Sequence, residues 1–434
     1  MESLLLKNIL HEQLASILNE HISENELPRI DCGLEDSLTR QEITVVTGVR
    51  RCGKSTLTQQ LIRKNHTNWN VHYINFEEQK LRNFAFDDFE VAYNNFMRQT
   101  DTSKKYLLIY DEIQNIDGWE KWVSSFTSAT SSINKRTKVI ITGSNARLLS
   151  TELSTLLTGR HEKIEISPLS FKEVVQQSFQ HIKSEDTLSA QDSLELQKQY
   201  LEYLQYGGFP KAYTSKSTKL LGQYYEDITL KDIAVRKKIR NISALQSLST
   251  LLTSQNTRLF NKSKIALELG IKDTTTLSKF CSYFIETYLF SEIRCYARSR
   301  RQQLRSLSKF FCVDPIMAKE VGYHDTTSSY WILENLVFNV LKKRYREIWY
   351  WHSKEGFEVD FVAKEKDGEL HAYQVASSIK NQETRERELR ALSSAIKEIK
   401  ATKCSIITEF EHEEIRNSDR VINVIPFYLW SLDG

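Results

Sequence analysis

The sequence predicts an α/β chain: a parallel sheet with helices on both faces, then a helical and winged-helix region, then a second α/β unit. Three observations lead there. Between residues 39 and 166, short apolar runs rich in Val, Ile and Tyr alternate with helical stretches, the pattern of parallel strands joined by crossover helices. Between residues 242 and 314, three helical segments precede two strands that flank a basic turn. From residue 328 onward the order is helix, strands, helix, strands.

The composition is that of a large globular chain. Its 434 residues are 40% apolar and 26% charged, enough for several domains with cores of their own. The net charge of +3 gives no global field for a polyanion, so any basic surface must be local. The cysteines at 32, 52, 281, 295, 312 and 404 form no C-x-x-C pair and read as reduced thiols of a cytoplasmic protein. The sequence start lacks the features of a signal peptide, and no window approaches about 18 uncharged apolar residues, so no membrane partner is expected.

In chain order, residues 1–28 read as an amphipathic helix, because Leu6, Ile9, Leu10, Leu14, Ile17 and Leu18 recur at helical spacing. With its connector it makes a segment over 1–38. Strands are expected at 43–47, 71–76, 106–110, 139–142 and 164–166, and helices at 57–64 and 119–129, within a domain over 39–168. A helical lid or linker follows over 169–240. Tyr206-Gly207-Gly208-Phe209-Pro210 interrupts it, as a lid hinge or a plain helix–helix turn. A winged helix-turn-helix domain is expected over 241–327, and the last unit over 328–434.

The chemistry starts at the first strand. The run Gly48-Val49-Arg50-Arg51-Cys52-Gly53-Lys54-Ser55-Thr56 is G-x-x-x-x-G-K-[ST] between a strand and a helix, the setting that a phosphate-binding loop requires. Gly48 and Gly53 let the backbone curl so that its N–H groups face a phosphate. The helix that begins at Lys54 adds its positive end. Lys54 is placed to reach the β- and γ-phosphates and Ser55 to ligate Mg²⁺. The third strand ends Leu107-Leu108-Ile109-Tyr110-Asp111-Glu112. Its apolar run buries the strand, and the carboxylates emerge at the C-terminal edge where open α/β sheets bind ligands. Asp111 would serve the metal, and Glu112 would polarise the attacking water. At the end of the fourth strand, Ser144 and Asn145, with Thr142 third, are candidates to sense the γ-phosphate. Arg147 and Arg160 follow. Arg160 is read as a transition-state arginine acting in cis or in a neighbouring subunit, or as a surface arginine.

These stretches, with Ile-Thr-Gly-Ser-Asn-Ala, Leu-Thr-Gly-Arg and Ser-Pro-Leu-Ser-Phe-Lys-Glu, resemble the prokaryotic AAA-type ATPases in which a P-loop domain precedes a C-terminal domain of unknown function. The resemblance spans nearly the whole chain. It implies Mg²⁺-dependent ATP hydrolysis and an additional strand between the P-loop strand and the strand of Asp111. It leaves the client and the oligomeric state undetermined. The family also carries Asp-Ile-x-x-Arg, matched by Asp232, Ile233 and Arg236, which as an i,i+4 pair could simply stabilise a helix.

In the winged-helix segment, Lys279 on the recognition helix and Arg298, Arg300, Arg301 and Arg305 in the basic turn are candidate DNA contacts. The competing readings are a lid on the ATPase domain and a surface for a protein client. The last unit resembles the PD-(D/E)xK nuclease fold, with Glu334 and Asp360 in its first two acidic positions. The expected Glu-x-Lys reads Gln374-Val375-Ala376. That departure removes a metal ligand and the lysine, so a degenerate, inactive site is expected, with Glu358 as a possible third carboxylate and Lys380 as a lysine that could reach back.

Overall fold

A computed structural model describes residues 1–19, 27, 29, 32–127, 134–145, 159–176, 178–179, 189–324, 330–417 and 420–433. Two compact units emerge. One comprises Met1–Pro168 with Glu286–Tyr288, the other Leu169–Ile285 with Leu289–Gly434.

The first unit holds a five-stranded parallel sheet. Its strands are β1 (Ile43–Thr47), β2 (Trp69–Asn75), β3 (Lys105–Asp111), β4 (Thr137–Gly143) and β5 (His161–Glu165), in the order β2-β3-β4-β1-β5. The additional strand, β4, lies between β1 and β3 as expected. Every residue of β1 and β4 is buried, which is why both read as unbroken apolar runs rather than alternating ones. Helices α1 (Ser3–Asn19), α2 (Lys54–Asn65), α3 (Asp88–Met97) and α4 (Trp119–Ser125) surround the sheet. In α1, Leu6, Ile9, Leu10 and Ile17 are buried, whereas Leu18 is 38% exposed, so its apolar stripe is narrower than the sequence spacing suggests. An aromatic cluster of Phe76, Phe84, Phe89, Tyr110 and Trp122 fills the core beside β2 and β3. Within it, Trp122 Nε1 donates to the Tyr110 hydroxyl at 2.9 Å.

One buried group makes this unit sensitive to acid. His72 on β2 is buried and stacks on Phe96, with ring centroids 4.8 Å apart. Its Nε2 has no hydrogen-bond partner among the described residues. Burial pushes its pKa down from the ordinary 6.5 to about 4. The depressed value means that the unfolded chain takes up the proton first. The full contribution to stability is therefore present above the ordinary value and is lost as pH falls toward the folded one. From about pH 7 to about pH 5, His72 should cost roughly 2 kcal/mol of stability. Urea unfolding of wild type and His72→Phe at both pH values checks this: the difference between the two proteins should change by that amount.

The second unit begins with helices. Helix α5 (Ala190–Tyr206) ends at the Gly-Gly turn. Gly207 has φ +73, and a Cβ there would sit 2.6 Å from Asp314 Oδ2. Gly208 N donates to the same Oδ2 at 2.7 Å. Asp314 Oδ1 also accepts from Ile316 N at 2.8 Å, capping the helix Pro315–Val321. The turn is thus pinned by a buried carboxylate. Farther on, the helix Lys219–Asp227 passes into a π-helical run, Ile228–Val235. Asp227–Lys231 and Asp232–Arg236 form i,i+4 ion pairs on it at 2.8 and 3.7 Å.

Three helices follow, α6 (Ile242–Ser254), α7 (Lys262–Glu268) and α8 (Thr274–Glu286), with a small antiparallel sheet of β6 (Leu259–Phe260), β7 (Phe290–Arg294) and β8 (Ser308–Cys312) in the order β6-β8-β7. The basic turn between β7 and β8 is not irregular: it contains the short helix α9 (Arg300–Arg305). Helix α10 (Tyr330–Arg344) then leads into a six-stranded mixed sheet. Its strands are β9 (Ile348–His352), β10 (Glu358–Lys364), β11 (Leu370–Val375), β12 (Lys403–Thr408), β13 (Glu413–Asn417) and β14 (Arg420–Pro426). β9, β10 and β11 form an antiparallel meander, and α11 (Gln382–Ile399) provides the crossover to β12, which is parallel to β11.

Candidate active site

The site forms where β1, β3 and β4 end side by side. The close approach of backbone explains Gly48: its φ is +150, and a Cβ would lie 2.0 Å from the Ile166 carbonyl. Arg51 and Gly53 take positive φ, +66 and +104, to bring the loop around to α2. Cys52 is buried and its thiol donates to Ile166 O at 3.3 Å. Arg29 steadies the loop from outside, reaching Cys52 O at 3.4 Å and Ser167 O at 2.7 Å. Ser55 and Thr56 lie in the first turn of α2, whose leading N–H groups have no partner within the helix.

Lys54 is buried at 3% exposure. Its Nζ donates to the Gly48 and Val49 carbonyls at 3.2 Å each and lies 3.5 Å from Glu112 Oε1. Burial alone would lower its pKa, but the charges of Glu112, Cys52 and Asp111 outweigh this and hold it above the ordinary lysine value.

The two carboxylates have different environments. Glu112 sits in the left-handed region at φ +53, uncommon for a residue with a side chain, and its Oε2 accepts from Gln114 Nε2. Against burial, Lys54, Gln114, Arg50 and Ser144 hold its pKa below the usual carboxylate range. Asp111 is fully buried. Burial and the Glu112 charge push its pKa up, opposed by hydrogen bonds from Thr142, Ser55 and Tyr73. Environments that drive two carboxylates apart in this way assign them separate roles.

Thr142 ties the pair together. Its hydroxyl donates to Asp111 Oδ1 and accepts from Glu112 N at 3.0 Å. Ser144 and Asn145 are buried just beyond it. Tyr73 on β2, which the sequence reading missed, donates to Asp111 Oδ2 at 3.0 Å. Arg50 pairs with Glu77 at the rim. A signal for Tyr73 existed: it lies on the strand beside β3, two residues before the position paired with Asp111.

Arg160 is elsewhere. It immediately precedes β5, and its carbonyl accepts from Ile43 N at 3.1 Å. Because β5 runs parallel to β1, with Ile43 paired to His161, Arg160 stands at the N-terminal edge of the sheet, opposite the phosphate loop. Its guanidinium reaches Thr127 at 3.4 Å. Of the three readings open for Arg160, a role in cis does not fit this position, which leaves a neighbouring subunit's site or the surface. Arg147 and Thr158 fall outside the described residues.

The donor set fits the groups that the sequence implies. A backbone cradle that a Cβ would fill and a buried lysine suit a polyphosphate. The Ser55 hydroxyl and Asp111 carboxylate are hard oxygen ligands suited to Mg²⁺.

A family model agrees with the architecture of the first unit. The description "AAA domain" matches residues 40–175, and domains of unknown function match 197–322 (DUF8612) and 331–430 (DUF4143). Among solved structures, ORC1 of Aeropyrum pernix in complex with DNA is 11% identical, covering 70% of this chain and 95% of that chain at a TM-score of 0.34. RuvB of Thermotoga maritima is 15% identical, covering 68% and 90% at 0.29. An uncharacterized protein of Haemophilus influenzae is 34% identical over 353 residues, 78% of this chain and 83% of that protein. An uncharacterized protein of Methanocaldococcus jannaschii is 30% identical over 450 residues, 100% of this chain and 97% of that protein. The chain belongs to the family of these archaeal and bacterial proteins, with an AAA-type P-loop domain at its N-terminal end.

Proposed function

We propose that the protein binds and hydrolyses ATP with Mg²⁺ and that the cycle drives a change in its C-terminal half. The observation that carries this is the convergence of Lys54 and Glu112, both buried and 3.5 Å apart, beside Asp111. When bound, Mg²⁺ would supply positive charge that neutralises the phosphates. Ser55 and Asp111 are the residues that would hold it. Lys54 exchanges its carbonyl partners for phosphate oxygens and fixes the γ-phosphate. Glu112, ionised and no longer paired with Lys54, orients a water for in-line attack and accepts its proton as the bond to the leaving ADP oxygen breaks. Ser144 and Asn145 contact the γ-phosphate, and the loop from Gly48 to Thr56 cradles the phosphates. An arginine supplied by a neighbouring subunit, Arg160 included, would complete the charge. The test is phosphate release from ATP with Mg²⁺, compared between wild type and Asp111→Asn; equal rates would remove Asp111 from the reaction.

A second reading concerns DNA. Helices α6, α7 and α8 with the β6-β8-β7 sheet support a winged helix. Arg298, Arg300, Arg301 and Arg305 are exposed on and beside α9, and Lys279 is exposed on α8. Changing Arg298, Arg300 and Arg301 to Ala should weaken DNA binding across all sequences. It should also flatten the salt dependence, by about one unit of slope for each phosphate left without its arginine. Fluorescence anisotropy over a salt series measures this. If wild type shows no affinity at low salt, the surface serves a lid or a protein client instead. The helix and strand order of the last unit supports the nuclease-like reading without its activity. Lys380 is exposed, and its amide bonds Ser378 Oγ at 3.2 Å.

A further inference from the structure

The edge of the parallel sheet carries a cavity of its own. Strand β2 ends the sheet and pairs only with β3, so its other side has no ladder partner. Gln13 of α1 covers that side at one point. Its amide accepts from Asn75 N at 3.0 Å and donates to Asn75 O at 3.3 Å, as a neighbouring strand would. Val71 and Tyr73 share the phase of Asn75 along β2, so their peptide groups turn to the same edge. Beside them a cavity of about 310 Å³ opens, walled by α1, β2 and α3. Its size lies at the lower end of the range for small-molecule sites.

The lining divides by chemistry. Leu10, Leu14, Val71 and the Phe96 ring give it apolar walls. Lys7, His11 and Lys104 also line it, the first two exposed and Lys104 half-buried. Among the described residues no Asp or Glu does. His72 is the buried polar member of the wall, at 4% exposure. Its Nε2 has no hydrogen-bond partner among the described residues, and burial keeps the ring uncharged at neutral pH. A buried polar atom without a partner is costly. A neutral imidazole nitrogen donates or accepts according to its tautomer, and a hydroxyl can meet either need.

These features describe one kind of occupant. Apolar walls that include an aromatic ring take a flat apolar body. Two lysines without a carboxylate among the lining residues select a negative charge. The unpartnered Nε2 takes a hydroxyl. We propose that the cavity between α1, β2 and α3 binds a small hydroxylated aromatic acid, its carboxylate toward Lys7 and Lys104 and its hydroxyl on His72 Nε2. No residue of the Gly48–Thr56 loop lines the cavity, so this is a second site. Tyr73 does line it, and its hydroxyl donates to Asp111 Oδ2 at 3.0 Å, so an occupant touches a residue that also holds the acidic pair. The proposal concerns binding alone, so it stands or falls separately from ATP hydrolysis.

The test uses the nucleotide-free full chain and a hydroxynaphthoate whose hydroxyl and carboxylate stand at opposite ends of the two rings, followed by the anisotropy of its own fluorescence. Wild type should bind one molecule per chain with a Kd below about 1 mM. Lys7→Glu/Lys104→Glu, changed at positions that are not buried, should bind about ten-fold more weakly or worse. So should wild type with the uncharged alcohol made by reducing the carboxylate. Naphthoate without the hydroxyl should bind wild type about ten-fold more weakly than hydroxynaphthoate, and His72→Phe should treat the two alike. Absence of saturable binding at millimolar probe overturns the proposal. So does equal binding by wild type and the double glutamate variant, which would put the probe elsewhere on the chain. Equal binding of the acid and the alcohol overturns the choice of an anion. A preference for the hydroxyl that survives in His72→Phe overturns the contact with Nε2. Should His72→Phe fail to fold, the double glutamate variant and the alcohol still decide the outcome.

Discussion

Lys54→Ala should abolish ATP binding, with affinity reduced by at least about 10²-fold. Charge-assisted hydrogen bonds from a lysine are the strong ones, and no other buried cation stands at Glu112 Oε1 among the described residues. The same change should destabilise the nucleotide-free protein. It leaves Glu112 buried without its partner, and breaking a buried pair from one side costs on the order of 3 kcal/mol. Isothermal titration with ATP and thermal unfolding without nucleotide separate the two effects. ATP binding at the wild-type level would remove Lys54 from the phosphate site, whatever the stability did.

Glu112→Gln should behave in the opposite way. The amide keeps the size of the side chain and leaves the phosphate cradle of Gly48 to Thr56 intact, so nucleotide affinity should stay within a few-fold of wild type. Turnover should fall by roughly 10²–10⁴, the usual effect of removing a general base. Equilibrium binding of a fluorescent ATP analogue together with single-turnover hydrolysis distinguishes the two. Unchanged hydrolysis would transfer the base role to another carboxylate, and Glu77, close enough to Glu112 to be affected by its charge, would be the first to examine. The variant also offers an ATP-bound state in which partners can be captured.

The phosphate loop and the acidic pair were legible because each is contiguous in sequence and its setting is local: an apolar run before, a helix or chain reversal after. What failed depended on register. Arg160 follows the fourth strand closely enough in sequence to suggest the γ-phosphate. Yet a residue that opens a parallel strand must lie at the edge where its neighbours begin, and that argument was available from the strand assignments alone. The sequence places Thr142 behind Ser144 and Asn145, since it does not give the height at which β4 sits beside β3, which puts the Thr142 hydroxyl between Asp111 and Glu112. Lys309 was invisible for a related reason. It precedes Phe310, Phe311 and Cys312 in a wholly buried strand, where a lysine reads as an outward-facing residue, and its carboxylate partners, Glu334 of α10 and Glu358 of β10, are distant in sequence. The winged turn hid α9 because a run of arginines and glutamines suits a solvated loop and a helix equally well.

The single oxygen of Thr142 has a consequence for kinetic measurement. It joins the Asp111 carboxylate to the Glu112 backbone, while Glu112 shares charge with Lys54. Proton gain at any of the three changes the energy of the other two. An activity profile across pH will therefore yield apparent constants that belong to the trio as one titrating body. A shift in such a constant after substitution of one member identifies the network, and only spectroscopy that observes a single carboxylate can say which oxygen holds the proton.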